Sequence, residues 1–304
     1  MKKEFYSNGK LLITGEYLVL DGALAFALPT KLGQNLIVED GANNQINWKS
    51  FDVDGSIWFE NVITFDEIKH RNPFEKESVR TTLIKILHET FLLNPDFINH
   101  SDGYVISTQL TFPRNWGLGT SSTLLNNIAK WTQINAFELL NNSFGGSGYD
   151  IACAQNDNPI LYHLENEKPV VEKVIFEPKF SENLYFVYLN KKQSSKAAIA
   201  SYHNNKSKNL EKSIAKIDKI TLAILNSTML QEFAFAIEKH EIEMSKILET
   251  KTVKELLFPD FKGVIKSLGA WGGDFILVIS KENPSDYFVS KGYETALTYK
   301  DLIL

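Results

Sequence analysis

Phe112-Pro113-Arg114-Asn115-Trp116-Gly117-Leu118-Gly119-Thr120-Ser121-Ser122 is the stretch on which the reading of this chain turns. Just before it, Tyr104 to Leu110 alternates in polarity and predicts a strand. Just after it, Leu124, Leu125, Ile128, Ala129 and Trp131 share one helical face. The segment is therefore a strand, a glycine-rich turn and a helix opened by hydroxyl residues suited to N-capping. Glycines let backbone approach an anion closely. The first turn of a helix offers N–H groups without internal partners and a partial positive charge. Gly117, Leu118, Gly119, Thr120, Ser121 and Ser122 are thus candidates to hold phosphate, with Thr120 and Ser121 able to bond a phosphate or a Mg²⁺-bound oxygen. A capped helix after a tight turn fits the same pattern.

Two further glycine clusters lie outward from this stretch. Leu268-Gly269-Ala270-Trp271-Gly272-Gly273-Asp274 precedes the apolar run Phe275–Ile279, which reads as a buried strand. Its glycines imply positive φ angles or close approach of another segment or ligand, although a plain loop carries glycines as well. Gly145-Gly146-Ser147-Gly148-Tyr149-Asp150-Ile151-Ala152 places a carboxylate after a glycine turn. Asp150 can accept a proton from a hydroxyl nucleophile or orient it, or can cap a helix.

Leu11–Ile13, Tyr17–Leu20, Leu36–Val38 and Ile57–Phe59 are short apolar, strand-like runs, with Asp54-Gly55 as a turn. Residues 75–92 have helical spacing through Val79, Leu83, Ile86, Leu87 and Thr90. Later, Leu210, Ile214, Ile217 and Ile224 form one amphipathic stripe, and Leu230, Phe233, Ile237, Met244, Ile247 and Leu248 another. Strands and helices mix without strict alternation. This predicts an α+β protein with two lobes, 1–170 and 171–304, the boundary falling between residues 160 and 185.

The 304 residues suggest about two domains. A 43% hydrophobic and 23% charged composition excludes wholesale disorder. Lys and Arg total 32 against 37 Asp and Glu, a charge of −5, which has the wrong sign for a general nucleic-acid binder but leaves room for a local phosphate pocket. The one cysteine, Cys153, excludes an internal disulfide and cysteine-based zinc clusters, so a reducing cytoplasm is the expected location. The start Met1-Lys2-Lys3 is not followed by a signal-peptide pattern. No window reaches the roughly 18 uninterrupted apolar residues of a membrane span. There is no Gly-x4-Gly-Lys-Ser/Thr loop and no Asp-Phe-Gly, and His70-Arg71-Asn72 lacks the Asp of a protein-kinase catalytic loop.

Taken in order, these segments resemble the GHMP kinases, the family of galactokinase, homoserine kinase, mevalonate kinase and phosphomevalonate kinase. Asn8-Gly9-Lys10 through Gly15-Glu16-Tyr17 resembles the family's first motif, Pro113–Ser122 its phosphate loop and Gly269–Asp274 its third motif. Gly148-Tyr149-Asp150-Ile151-Ala152 resembles its catalytic-Asp segment, in the form typical of phosphomevalonate-kinase-like members. Lys191-Lys192-Gln193-Ser194-Ser195 resembles a stretch near the phosphate acceptor. The chain departs from the family at Asn8 (for Pro), at Thr120 (for Ser), and at Trp116 and Trp271, whose indoles would pack beside the nucleotide or narrow the site.

The resemblance implies a ribosomal-protein-S5-like ATP-binding lobe, a ferredoxin-like C-terminal lobe that completes the active site, and ATP-dependent phosphoryl transfer with Mg²⁺. Asp150 would be base or orienter and Lys10 would offset developing charge. Ser121 and Glu138 would be metal ligands, the spacing from Glu138 to Asp150 differing by about one residue from that of mevalonate kinases. Glu16, Lys192, Ser195, Gly272 and Gly273 would face the acceptor. That acceptor is expected to be mevalonate or 5-phosphomevalonate. A phosphate acceptor would lean on Lys191, Lys192 or Lys196, and an alcohol on Asp150. Homoserine, a sugar, a decarboxylase-like use of ATP and a non-catalytic ATP-binding relative are the alternatives. No nucleic-acid or membrane partner is expected, and a homodimer is left open.

Overall fold

The computed structural model describes residues 2–192, 199, 200, 202 and 209–304. The chain forms two compact units that are discontinuous in sequence. The first comprises Met1–Gly9, Leu32–Arg114 and Leu118–Gln155; the second comprises Lys10–Lys31, Asn115–Gly117 and Asn156–Leu304. The long strands β1 (Lys2–Thr14) and β2 (Ala25–Asp40) each contribute residues to both.

In the first unit, β3 (Gln45–Phe51) pairs antiparallel with β4 (Ile57–Thr64) and parallel with β5 (Gly103–Leu110). β5 in turn pairs antiparallel with the C-terminal half of β2, from Gln34↔Leu110 to Asp40↔Tyr104. The result is a mixed sheet. Its strands alternate in burial: Leu36, Val38, Ile46, Trp48 and Ile106 point to one side. Onto that side pack α2 (Val79–Leu93), α4 (Thr120–Thr132) and α5 (Ala136–Ser143), through Leu83, Leu87, Leu125, Ile128 and Leu139. The shorter helices α1 (Phe65–Lys69), α3 (Asp96–Asn99) and α6 (Tyr149–Gln155) complete the unit. A capping box at Ser78, whose hydroxyl accepts from the Thr81 N–H, opens α2 four residues after the expected start.

In the second unit, residues Ala25–Ala27 of β2 pair with β6 (Ile160–Glu165), and β6 with β7 (Lys168–Lys173). A separate antiparallel sheet has the order β11 (Ala296–Thr298), β8 (Leu184–Tyr188), β10 (Phe275–Ile279), β9 (Val264–Leu268). All five residues of β10 are buried, as its unbroken apolar run predicts. The two amphipathic stripes are α7 (Leu210–Leu225) and α8 (Leu230–Leu248). The Tyr17–Leu20 run differs from its strand-like reading: Leu18–Asp21 is a 3-10 turn bracketed by Gly15 at φ +86° and Gly22 at φ +92°. Chain reversals at both ends leave no room for an extended segment. Among the described residues no helix is long and apolar enough to cross a membrane.

Candidate active site

The phosphate-loop segment enters α4 through two left-handed glycines, Gly117 at φ +70° and Gly119 at φ +100°. Gly119 is itself the N-cap, and no side chain caps the helix. This corrects the expectation of hydroxyl N-capping. Thr120, Ser121 and Ser122 are the first three helical residues, one position too late to cap. The Ser122 hydroxyl instead donates to the Gly119 carbonyl at 2.9 Å. Thr120 Oγ1 is buried without a hydrogen-bond partner. Such a start leaves backbone N–H groups and a buried hydroxyl open to an acceptor from outside the helix.

Buried polar contacts within the first unit fix that helix. Thr123 Oγ1 donates to Gln34 Oε1 at 2.7 Å, and Asn127 Nδ2 to the Gln34 carbonyl at 2.8 Å. Ser7 Oγ donates to Asn127 Oδ1 at 2.7 Å and accepts from Asn126 Nδ2 at 2.8 Å. Asn126 Nδ2 also reaches the Ala154 carbonyl at 3.1 Å, tying α4 to α6. Asp150 is the second residue of α6 and half-buried. The helix that presents the hydroxyls and the helix that presents this carboxylate are thus braced within one unit. Glu138 stands exposed in the first turn of α5, whose N-cap Asn135 accepts from the Phe137 N–H at 2.9 Å. Ser121 and Glu138 both offer oxygen, the donor type that Mg²⁺ takes alongside substrate phosphates.

The second unit holds the remaining predicted residues. Lys10 is almost buried and its Nζ donates to the Gly117 carbonyl at 3.0 Å. Trp116 packs edge-on against Phe275, ring centres 5.3 Å apart, and lies 6.0 Å from the ring of Tyr188. In the third glycine cluster Gly269 and Gly272 have φ of +76° and +75°. A Cβ at Gly273 would fall 2.4 Å from the carbonyl oxygens of Leu268 and Ala270. This loop therefore demands its glycines by geometry. Its Trp271 is tied down by its N–H to the Tyr17 hydroxyl at 2.7 Å and by its Nε1 to the Lys251 carbonyl at 3.2 Å. Lys192 is exposed just past β8. Ser195 and Lys196 lie outside the described residues.

Glu16 is deeply buried, among residues distant from it in the sequence. Lys266 Nζ donates to Glu16 Oε1 and lies 3.6 Å from Glu241 Oε2. The Gly15 N–H donates to His240 Nε2 at 3.3 Å, so the imidazole carries its proton on Nδ1. His240 Nε2 is also 3.5 Å from Glu16 Oε2, but burial and the Lys266 charge hold its pKa well below the ordinary value, so this is not an ion pair. Burial pushes the carboxyl of Glu16 up, against the pull of Lys266, and pushes that of Glu241 to about 7. A lysine in the middle of an apolar strand such as Val264–Leu268 is the one hint the sequence holds of such a cluster.

Solved structures share this architecture over nearly the whole chain. The Methanococcus jannaschii mevalonate kinase superposes with a TM-score of 0.71 at 17% identity, covering 98% of this chain and 96% of its own. The Streptococcus pneumoniae phosphomevalonate kinase in complex with phosphomevalonate and AMPPNP gives 0.72 at 17%, covering 97% and 99%. The Lactococcus lactis galactokinase complexed with galactose gives 0.69 at 12%, covering 95% and 88%. The sequence itself matches no family model and no curated protein. The mixed sheet, the separate antiparallel sheet and their helices constitute the GHMP kinase fold.

Proposed function

We propose that this chain is an ATP-dependent small-molecule kinase that works in the cytoplasm and phosphorylates mevalonate or 5-phosphomevalonate. The observation that carries the reading is the start of α4: two left-handed glycines, no side-chain cap, and the orphaned hydroxyl of Thr120. Such a start suits the triphosphate of ATP, with Gly117, Leu118, Gly119, Thr120, Ser121 and Ser122 as the cradle. Ser121 and Glu138 would hold Mg²⁺, which when bound offsets phosphate charge.

Phosphoryl transfer asks little covalent chemistry of the protein. It needs the acceptor aligned and the developing charge balanced. Asp150 takes or orients the acceptor hydroxyl proton, and Lys10 supplies positive charge. The carbonyl of Gly117 holds the Lys10 ammonium at the head of the phosphate loop, which limits its wandering. Glu16, Gly272, Gly273, Lys192 and Ser195 belong to the acceptor side. Of these, Glu16 is too buried to reach far and acts through the turn that carries it. An acceptor that is already a phosphate arrives as an anion and depends more on Lys192 than on a base.

The test is ADP release from Mg²⁺–ATP with mevalonate, 5-phosphomevalonate, homoserine and galactose supplied separately. Turnover with one of the first two supports the reading. Turnover with homoserine or galactose alone moves the acceptor elsewhere in the fold family. Nucleotide binding without turnover of any of them makes the chain a nucleotide-binding relative.

A further inference from the structure

Two consecutive residues of α8 reach toward two different glycine turns of the second unit, His240 directly and Glu241 through Ser267 of β9. His240 Nε2 accepts the N–H of Gly15, in the turn that carries Glu16. Glu241 Oε1 accepts the N–H of Ser267 at 3.1 Å, and Ser267 Oγ accepts the N–H of Gly272 at 3.1 Å. Lys266 joins the two branches: its Nζ donates to Glu16 and to the Ser267 carbonyl at 3.0 Å and faces Glu241. None of the four ionisable side chains is more than 4% exposed.

We propose that His240 and Glu241, joined through Lys266, are positioning residues that lock the Gly15–Glu16 turn to the Gly269–Gly273 loop and so set the shape of the acceptor side. This rests on the kinase reading for its functional consequence.

Stability is a poor explanation for such a cluster. Desolvating a lysine, two carboxyls and an imidazole costs more than apolar packing of the same volume, and the arrangement is not even saturated. Glu16 Oε2, Glu241 Oε2 and His240 Nδ1 are buried without hydrogen-bond partners. What the cluster supplies is direction. The bonds that it does make end on the Gly15 amide, on the backbone of Ser267 in β9 just before the glycine loop, or on the Lys266 side chain that joins the two branches. Glycine gives the backbones of both turns wide freedom, and specific anchors select one geometry, these bonds together with those from Trp271 to Tyr17 and Lys251. Gly15 has no spare space, since a Cβ there would lie 2.8 Å from Ala25 Cα. A loosened Gly15 amide would therefore shift Glu16 with it.

The experiment combines hydrogen exchange of the full-length chain with steady-state kinetics, on Glu241→Ala, Glu241→Gln, Ser267→Ala and His240→Ala. Glu241→Ala is expected to speed exchange across 267–273 about tenfold, the size set by a lost buried hydrogen bond. Glu241→Gln keeps an oxygen for the Ser267 N–H and should restore slow exchange. His240→Ala should speed exchange at Gly15–Tyr17. With a turned-over acceptor, Glu241→Ala should raise the acceptor KM and leave the ATP KM unchanged. Ser267→Ala keeps every buried charge and removes only the Gly272 anchor, so it serves if Glu241→Ala does not fold. Wild-type exchange in both turns in folded Glu241→Ala or Ser267→Ala overturns the proposal. So does faster exchange with an unchanged acceptor KM. If the wild-type chain turns over no acceptor, the kinase reading fails on its own and the exchange measurements still decide the positioning role.

Discussion

The carboxylate of Asp274 lies against the α-carbon of Gly117: a Cβ placed there would fall 1.9 Å from Oδ2 and 2.4 Å from Cγ. The last residue of the third glycine cluster thus packs on the first glycine of the phosphate loop, both in the second unit. Gly117 also sits at φ +70°. Gly117→Ala meets a steric clash and a left-handed penalty of about 1–2 kcal/mol. It should weaken Mg²⁺–ATP binding at least about tenfold by calorimetry. Removing the obstructing carboxylate should relieve the clash but not the φ penalty. The double variant Gly117→Ala with Asp274→Gly should therefore bind better than the sum of its singles predicts. Strict additivity would separate the two residues.

Asp150 and Lys10 carry the proposed chemistry. Asp150→Asn should lower turnover about 10²-fold or more and leave ATP affinity within a few-fold, the usual size of a proton-accepting or orienting role. Lys10→Met should also lower kcat, because it removes the positive charge held at the Gly117 carbonyl. Near-wild-type turnover in Asp150→Asn would remove Asp150 from the reaction.

Much of this was legible in the sequence because it is local. The passage from β5 through Gly117 and Gly119 into α4 is a switch from period two to period 3.6 across two glycines, and it folds as read. The cap was misassigned by one position: hydroxyls stand at 120–122, but Gly119 already occupies the cap with φ +100°. Tyr17–Leu20 carried no periodicity to separate a strand from a turn, and the glycines on either side decided it. The Glu16–Lys266 pair was beyond local reading, since its members are 250 positions apart and belong to different strands and turns. The role of Trp116 was open for the same reason: its partners Tyr188 and Phe275 are long-range.

The anchoring of α4 gives a stability prediction. Thr123 is fully buried, and its hydroxyl meets Gln34 Oε1 as well as the carbonyl of Gly119. Thr123→Val keeps the shape and strands the Gln34 oxygen without a donor. The expected loss is about 1–3 kcal/mol in urea unfolding, the cost of a buried unsatisfied acceptor. Thr123→Ser should recover most of it. An unchanged midpoint in Thr123→Val would show that the Gln34 oxygen finds another donor.

The buried carboxyl of Glu241 makes a prediction about pH. Burial raises its pKa from 4.5 to about 7, against the pull of Lys266 and of the Ser267 N–H. Between those two values the folded chain keeps a proton that the unfolded chain has released. Stability from this group is therefore full below pH 4.5 and is lost as pH rises to about 7. Glu241→Gln cannot titrate there, while Glu16, His240 and Lys266 are common to both proteins. The unfolding free energy of the wild type relative to Glu241→Gln should thus fall by about 1–3 kcal/mol across that window and level off above it. Urea unfolding at a series of pH values reads the difference directly. A difference that stays flat from acid to neutral pH, or one that grows in favour of the wild type, would mean that Glu241 is already ionised in the folded acidic state and that Lys266 outweighs its burial.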